Sequence, residues 1–120
     1  MISVLDSFCS AFARRDPEAV MRLLAPDPDL VVVTSEEPLL RGRDELRHFL
    51  ESYVRGPTTY SWEWERHDVV VAGHVAWLLA EGTETATTGD HQEKHRYRMT
   101  MVCESRNGRW MVKQMHGSTP

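Results

Sequence analysis

Cysteines and long apolar runs are both scarce in this 120-residue sequence. No stretch has the roughly 20 consecutive apolar residues of a membrane-spanning helix. The two cysteines, Cys9 and Cys103, are far apart and have no C-x-x-C partner, so nothing predicts a reactive thiol of low pKa. We expect reduced thiols in the core of a cytoplasmic protein, with a disulfide between them as the alternative.

A basic excess is also lacking, since 14 Lys and Arg stand against 18 Asp and Glu, for a net charge of −4. This balance argues against binding to nucleic acid or to an anionic membrane, because both favour a basic patch. The N-terminus carries an acid at Asp6 and lacks the apolar segment of a secretory signal, which again predicts a cytoplasmic protein. The length predicts one domain over residues 1–120.

Cofactor motifs are missing as well. The sequence has no G-x-S-x-G element, no phosphate-binding loop and no glycine-rich dinucleotide fingerprint, so we expect no cofactor and no metal. His91 and His95 have the spacing of two ligands on a helical turn. However, they follow Gly89-Asp90 and lead into a predicted strand, where residues four apart are separated by about 13 Å. A solvated loop is the simpler interpretation of this segment.

Apolar residues at helical spacing predict three helices in the first half of the chain. The first has its apolar face at Ile2, Leu5, Phe8, Cys9 and Phe12. The second begins at an Asp16 N-cap with Pro17 in the first helical position, and it ends before Pro26. The third follows Gly42, and its apolar side consists of Leu46, Phe49, Leu50 and Tyr53.

Strand patterns dominate the rest of the chain. A short strand is predicted over residues 30–34, between the second and third helices. After Pro57, Tyr60, Trp62 and Trp64 alternate with polar residues, and three further strands are predicted over residues 75–85, 95–106 and 109–116. Asn107-Gly108 predicts a tight hairpin turn. Helices packed on one face of a curled antiparallel sheet form an α+β fold.

Five segments, taken in order, resemble the SnoaL-like branch of the nuclear transport factor two-like superfamily of cone-shaped α+β barrels. They are "FARRDPEAVMRLLAPD", "RGRDELRHFL", "GHVAWLLAEG", "YRMTMV" and "NGRWMVKQMHGSTP". The resemblance implies a curled antiparallel or mixed sheet of six strands wrapped on the three helices, with an internal cavity. It also implies a homodimer through the outer sheet face. Relatives include isomerases, polyketide cyclases, epoxide hydrolases, dehydratases and binding-only domains, so the fold does not decide the function.

The resemblance provides a test for isomerase chemistry. In the ketosteroid isomerase relatives, a base aspartate ends the first strand and an oxyanion-binding tyrosine lies on the first helix. By spacing, these positions fall near Val33 and on Phe8, neither of which can transfer a proton. Isomerase activity of that kind is not expected, unless a shift of a few residues brings Glu36 or Glu37 into the base position.

His116 matches the histidine of the family's closing H-x-S element and is the candidate catalytic residue. In a cyclase, dehydratase or hydrolase, His116 and a pocket carboxylate would form the acid–base pair. The other acid–base candidates are Glu84, His95, Asp68 and Glu63. The alternative role of His116 is structural, with a hydrogen bond near the cavity rim that holds the end of the last strand.

Apolar and aromatic side chains dominate the rest of the implied pocket. They are Phe8, Phe12, Phe49, Tyr53, Trp62, Trp64, Tyr97, Met99, Met101 and Met115. This lining suits a hydrophobic or aromatic small molecule, and a filled core is the alternative interpretation. Trp77 is out of phase with Ala76 and Leu78, so Trp77 and Leu79 are predicted to form a dimer patch on the outer sheet face.

Three functions therefore stay open. The first is a homodimer that binds a hydrophobic small molecule, and the second is a cyclase, dehydratase or hydrolase that acts on such a molecule. The third is an association module, whose function is oligomerisation itself.

Overall fold

A computed structural model describes residues 2–34 and 39–120 of the chain. Its helices are α1 (Ile2–Ala13), α2 (Pro17–Met21) and α3 (Gly42–Arg55). The strands are β1 (Val31–Val33), β2 (Leu40–Arg41), β3 (Thr58–Ala72), β4 (Val75–Thr88), β5 (His91–Arg106) and β6 (Arg109–Ser118). Glu36 and Glu37, which were considered as alternative bases, lie outside the described residues.

The six strands form one open, mixed sheet in the order β2-β1-β6-β5-β4-β3. Strand β1 is parallel to β6, and every other neighbouring pair is antiparallel. The helices cover one face of this sheet. The α+β class and the curled mixed sheet wrapped on three helices are therefore confirmed.

Local signals account for most of the helix boundaries. The Asp16 carboxylate accepts a hydrogen bond from the Ala19 amide at 3.1 Å, as an N-cap does. Helix α2 ends at Met21, earlier than predicted, and Arg43 of α3 donates to the carbonyls of Met21 and Leu24 at 3.0 and 2.9 Å. A side chain from another element thus binds carbonyl groups at and just beyond the end of the short helix, where the Met21 carbonyl also accepts from the Leu24 amide at 3.2 Å.

One local prediction was wrong and one strand was missed. Strand β5 begins at His91, so residues 91–94 belong to a strand and not to a solvated loop. Strand β2 was not predicted, because two residues carry no periodicity and their order depends on pairing with β1. Strand β4 also extends three residues beyond its predicted end, to Thr88.

The long β3–β4 ladder is bent at a bulge between Trp64 and Arg66, opposite Gly82. A β-carbon on Gly82 would lie 2.8 Å from the Trp64 Cα and still closer to the Glu63 carbonyl oxygen, so only glycine fits there. A bulge increases local twist and bends the strand that carries it. This bend curls the sheet around the helices.

The two faces of the sheet differ sharply in burial. On β4, Ala76, Leu78 and Ala80 are buried against the helices, whereas Trp77 and Leu79 are 45% and 44% exposed on the outer face. The predicted orientation of Trp77 is therefore confirmed. None of the helices in the described ranges is long and apolar enough to cross a membrane.

Candidate functional site

The space between the helices and the concave face of the sheet contains a cavity with two adjoining lobes. The inner lobe is about 60 Å³ and the outer lobe about 70 Å³. Both are lined by Phe12, Thr34, Phe49, Trp62 and Tyr97. Aliphatic and sulfur-containing side chains, among them Met99 and Met115, complete the inner lobe. The cavity is therefore small and mostly apolar.

Stacked and tilted aromatic rings form the wall of the outer lobe. The Phe12 ring of α1 lies 4.3 Å from the Tyr53 ring in a stacked arrangement, and 5.4 Å from the Trp62 ring edge-on. Trp62 and Tyr97 follow at 6.1 Å between ring centroids. Such contacts favour defined ring orientations, because the π faces and ring edges carry opposite partial charge.

The Tyr53 hydroxyl ties this wall to the backbone. It donates a hydrogen bond to the Phe12 carbonyl at 3.0 Å and accepts one from the Tyr60 amide at 3.1 Å. The Arg15 guanidinium lies over the Tyr53 ring at 5.4 Å and donates to the Thr58 carbonyl at 2.8 Å. Helix α1, helix α3 and the start of β3 are thereby held together at the open end of the cavity.

Glu84 is the one charged side chain that is buried within the described ranges, with 9% of its surface exposed. The alternation of β4 points it to the concave face, and the register places it opposite Trp62 on β3 and His95 on β5. The Trp62 indole N–H donates to its carboxylate at 3.0 Å. A carboxyl group in an aromatic cavity can accept a ligand's hydrogen bond or exchange a proton with it.

Outside Glu84, the cavity opens into a much wider space of about 870 Å³, which we call the outer groove. It is lined by Thr58, Tyr60, Glu81, Glu84, Ala86, Thr88, His91, Glu93, His95, Arg96, Arg98, Thr119 and Pro120. Tyr60 and Glu84 line both the outer lobe and the outer groove. These two side chains therefore form the passage between the apolar interior and a polar exterior.

Most of the predicted pocket residues line the cavity. Phe8, Phe12, Phe49, Trp62, Tyr97, Met99 and Met115 do so. Tyr53, Trp64 and Met101 do not contribute to either lobe. Met101 is fully buried in the core, and Tyr53 acts behind the wall through its hydroxyl.

His116 lies on the opposite side of the sheet from the cavity. Met115 and Gly117 on either side of it face inward, whereas His116 is exposed and paired in register with Thr100. The structure thus brings Glu84 to the cavity and separates His116 from it. Both Phe8 and Val33, at the positions aligned with the isomerase donor and base, line the inner lobe with apolar side chains.

The remaining acid–base candidates are exposed. Asp68 is paired with Arg66 at 3.2 Å, and Glu63 lies on the outer face of β3. His95 is in the outer groove, next to Glu93. Within residues 2–34 and 39–120, no three His, Cys, Asp or Glu side chains are grouped as a metal site would require.

Several residues that line the cavity were not among the predicted pocket residues, and Tyr60 and Gly117 are two of them. Tyr60 shares the strand phase of Trp62, so alternation alone could have placed it in the pocket. Gly117 could not have been found in this way, because it has no side chain and it lines the cavity only through its contact with Tyr97 of the neighbouring strand. The Tyr97 ring packs directly on the Gly117 backbone, and a β-carbon there would lie 2.9 Å from the ring carbon Cζ.

An open, curled sheet that wraps three helices around a cavity is the architecture of nuclear transport factor 2-like proteins. The family model described as a SnoaL-like domain matches residues 2–120, and the chain belongs to this family. Among the curated proteins, none matches the sequence.

Solved structures share the fold at low sequence identity. A candidate dehydratase of the NTF2-like family from Streptomyces avermitilis has a TM-score of 0.88 and 18% identity, covering 98% of this chain and 91% of that one. A candidate scytalone dehydratase from Novosphingobium aromaticivorans has a TM-score of 0.85 and 14% identity, with coverages of 99% and 80%. A candidate calcium/calmodulin-dependent protein kinase II association domain from Xanthomonas campestris has a TM-score of 0.76 and 22% identity, with coverages of 99% and 84%. At these identities the likeness shows the fold alone.

Proposed function

We propose that this protein binds a small molecule whose single apolar or aromatic ring lies in the cavity, with Glu84 at the mouth beside it. The observation that carries the proposal is a buried carboxylate at one end of an aromatic cavity. The Trp62 indole holds this carboxylate in place, and a few fixed polar groups in an apolar wall orient a ligand in a small-molecule site. Apolar walls with few polar groups are typical of small-molecule sites.

The volume of the cavity limits the ligand. The two lobes, of about 60 and 70 Å³, together approach the roughly 150 Å³ of a cavity that holds benzene. This volume limits the ligand to about a single ring, and the fused rings of a sterol exceed it. We therefore propose a ligand with a single ring in the cavity and a hydrogen-bond donor that reaches the Glu84 carboxylate.

Phenol and toluene are the first probes, because they have nearly the same size and differ in one hydroxyl. Phenol at a hundred times its dissociation constant should raise the free energy of unfolding of the wild-type protein by about 2.7 kcal/mol. Toluene at the same concentration should raise it less. Glu84→Gln keeps the shape of the side chain and should remove most of the preference for phenol. Thermal unfolding of each variant at increasing ligand concentration measures the effect.

The matched control is Glu63→Gln, which changes an exposed glutamate on the outer face of the neighbouring strand. It should keep the wild-type preference for phenol. If neither probe raises the unfolding temperature of the folded wild-type protein, the proposed function is refuted.

Enzymatic dehydration is the second candidate, and the position of Glu84 at the cavity mouth favours it. Glu84 would take the proton next to a substrate carbonyl, and the hydroxyl on the adjacent carbon would leave as water with a proton from His95 or from solvent. A carbon–carbon double bond would form in its place. Incubation of single-ring β-hydroxyketones with wild type and with Glu84→Gln, followed by mass spectrometry, would detect the loss of water.

The exposed apolar face favours a homodimer as part of either function. Trp77, Leu79 and Val70 lie together on the outer face of β3 and β4, and each is more than 40% exposed. Large exposed apolar patches mark interaction sites. Sedimentation velocity should find a dimer for the wild type and a monomer for Trp77→Lys, whereas Val54→Lys on helix α3 should remain dimeric. A monomeric wild type would exclude both the dimer and the association module.

A further inference from the structure

We infer that the ligand has two parts, a single ring held in the cavity and a neutral, hydroxyl-bearing tail held in the outer groove. This inference rests on the proposed function, because it extends the ligand from the same ring site. It starts from the position of Tyr60 and Glu84, which line both spaces. A substituent on a ring in the outer lobe would pass between these two side chains and enter the groove.

The groove contains both hydrogen-bond donors and hydrogen-bond acceptors. The Thr58 and Thr88 hydroxyl oxygens lie 2.8 Å apart at one side of it. Glu93 lies between two imidazoles, with its carboxylate 3.3 Å from His91 Nε2 and 3.9 Å from His95 Nε2. Hydroxyl groups both donate and accept hydrogen bonds, so they can bond to the threonine, histidine and glutamate side chains of the groove. An apolar tail would form none of these hydrogen bonds.

The charges of the groove favour a neutral tail. Arg96 donates to Glu65 at 2.8 Å, and Arg98 donates to Glu81 at 2.9 Å, so both guanidinium groups are already paired with carboxylates. An anionic tail would have to compete with these glutamates and would meet Glu84 and Glu93. A cationic tail would have to compete for the Glu84 and Glu93 carboxylates with the Trp62 indole and the His91 imidazole, which already lie within hydrogen-bond distance of them.

The floor of the groove is held in place before any ligand arrives. Arg15 bonds to the Thr58 carbonyl at 2.8 Å, and the Tyr53 hydroxyl accepts from the Tyr60 amide at 3.1 Å. Contacts with a preordered surface yield more affinity, because less conformational freedom is lost on binding.

A series of phenyl ethers with the same ring and different tails tests the inference by isothermal titration calorimetry. The members are phenyl glyceryl ether with two hydroxyls, phenyl propyl ether with an apolar tail of the same length, anionic phenoxyacetate and cationic phenoxyethylammonium. The glyceryl ether should bind about tenfold more tightly than the propyl ether, the effect of one or two net hydrogen bonds. Neither charged ether should match it.

Variants in the groove locate the effect. The double substitution Glu93→Ala and His95→Ala removes both hydrogen-bonding side chains, so it should remove most of the advantage of the glyceryl ether and leave the affinity for the propyl ether nearly unchanged. His74→Gln, in the turn at the other end of the β3–β4 hairpin, is the control and should change neither affinity.

The possible failures are distinguishable. If phenol and every ether fail to bind, the proposed function and this inference are both overturned. If the propyl ether binds as tightly as the glyceryl ether, or if phenoxyacetate binds best, this inference alone is overturned. Retention of the glyceryl advantage in the double variant would also overturn it, because the tail would then lie elsewhere.

Discussion

At the scale of single residues, the contact between Tyr97 and Gly117 limits the extent of the cavity. Because the Tyr97 ring packs against the Gly117 backbone, Gly117→Ala would place a methyl group 2.9 Å from Cζ and closer still to the hydroxyl. The ring would have to move into the inner lobe, and overpacking of this kind costs about 1–3 kcal/mol of the free energy of unfolding. Urea denaturation of wild type and Gly117→Ala would measure this loss.

Tyr97→Phe provides the test of this explanation. Combined with Gly117→Ala, it removes the nearest atom and should recover part of the lost stability, which appears as coupling in a double-mutant cycle. Strictly additive effects of the two substitutions would contradict the proposed contact. Ser118→Ala, at the adjacent position on the outer face, should leave the stability close to that of the wild type.

Asp27 belongs to a network of charges at the start of the segment that leads into β1. Arg106 donates to its carboxylate at 3.0 Å and Lys113 donates as well, and these hydrogen bonds lower the pKa of Asp27 from 3.8 to about 2. A carboxyl group with a depressed folded-state pKa stabilises the fold above its unfolded pKa, and this contribution is lost as the pH falls through the folded pKa. The stability difference between wild type and Asp27→Asn should therefore shrink between about pH 4 and pH 2.

Urea denaturation over this pH range, with both proteins in the same buffers, checks the expectation. Asp90→Asn in the exposed turn before β5 is the control for general acid effects. A difference that stays constant down to about pH 2 would show that the ion pairs of Asp27 do not contribute to acid stability.

At the scale of secondary structure elements, α2 is the least independent part of the fold. It has only five residues, and an isolated helix of that length is not stable in water. Its N-terminus depends on the Asp16 cap, so Asp16→Ala should lower the free energy of unfolding by about 1 kcal/mol. Asp16→Asn, which retains an acceptor for the Ala19 amide, should cost clearly less, as measured by chemical denaturation.

The elements also show where local sequence patterns suffice. Periodicity, the Asp16-Pro17 start and the Asn107-Gly108 turn predicted all three helices and the long strands, because these signals are contained within a few neighbouring residues. Strand β2 and the first four residues of β5, residues 91–94, were not predicted as strands. Their conformation depends on hydrogen bonds to β1 and β4, which are contributed by distant parts of the chain.

At the scale of the whole molecule, the two cysteines report on global opening. Burial raises the pKa of the Cys9 thiol to about 11 and that of Cys103 to about 12, so the reactive thiolate is scarce at neutral pH. Cys103 is fully buried in the centre of the sheet. In a Cys9→Ser variant, iodoacetamide should therefore alkylate Cys103 only in globally unfolded molecules, at a rate proportional to their equilibrium population.

The dependence of this alkylation rate on urea provides the measurement, and its slope should match that of equilibrium unfolding. A rate that does not respond to low urea would indicate a local opening of β5 and would contradict the expectation.

The candidate site was only partly accessible from the sequence. Alternation along β3 and β5 is a local property, and it is enough to place Trp62 and Tyr97 on one face. The buried state of Glu84 is different, because it requires the Trp62 indole from the adjacent strand and the cover of α1 and α3. The resemblance directed attention to His116, but the strand phase turns that side chain outward.

The sequence by itself determined the order of helices and strands, the two-faced character of the sheet and the aromatic nature of its concave side. These follow from side-chain periodicity, which acts over a few residues. Only the tertiary structure decided the size of the cavity, its passage at Tyr60 and Glu84, and the separation of His116 from it. A cavity is the volume that remains when helices pack on a curved sheet, and that curvature depends on the bulge opposite Gly82. The size of this volume depends on how segments that are far apart in the sequence pack together, and no local sequence pattern specifies that packing.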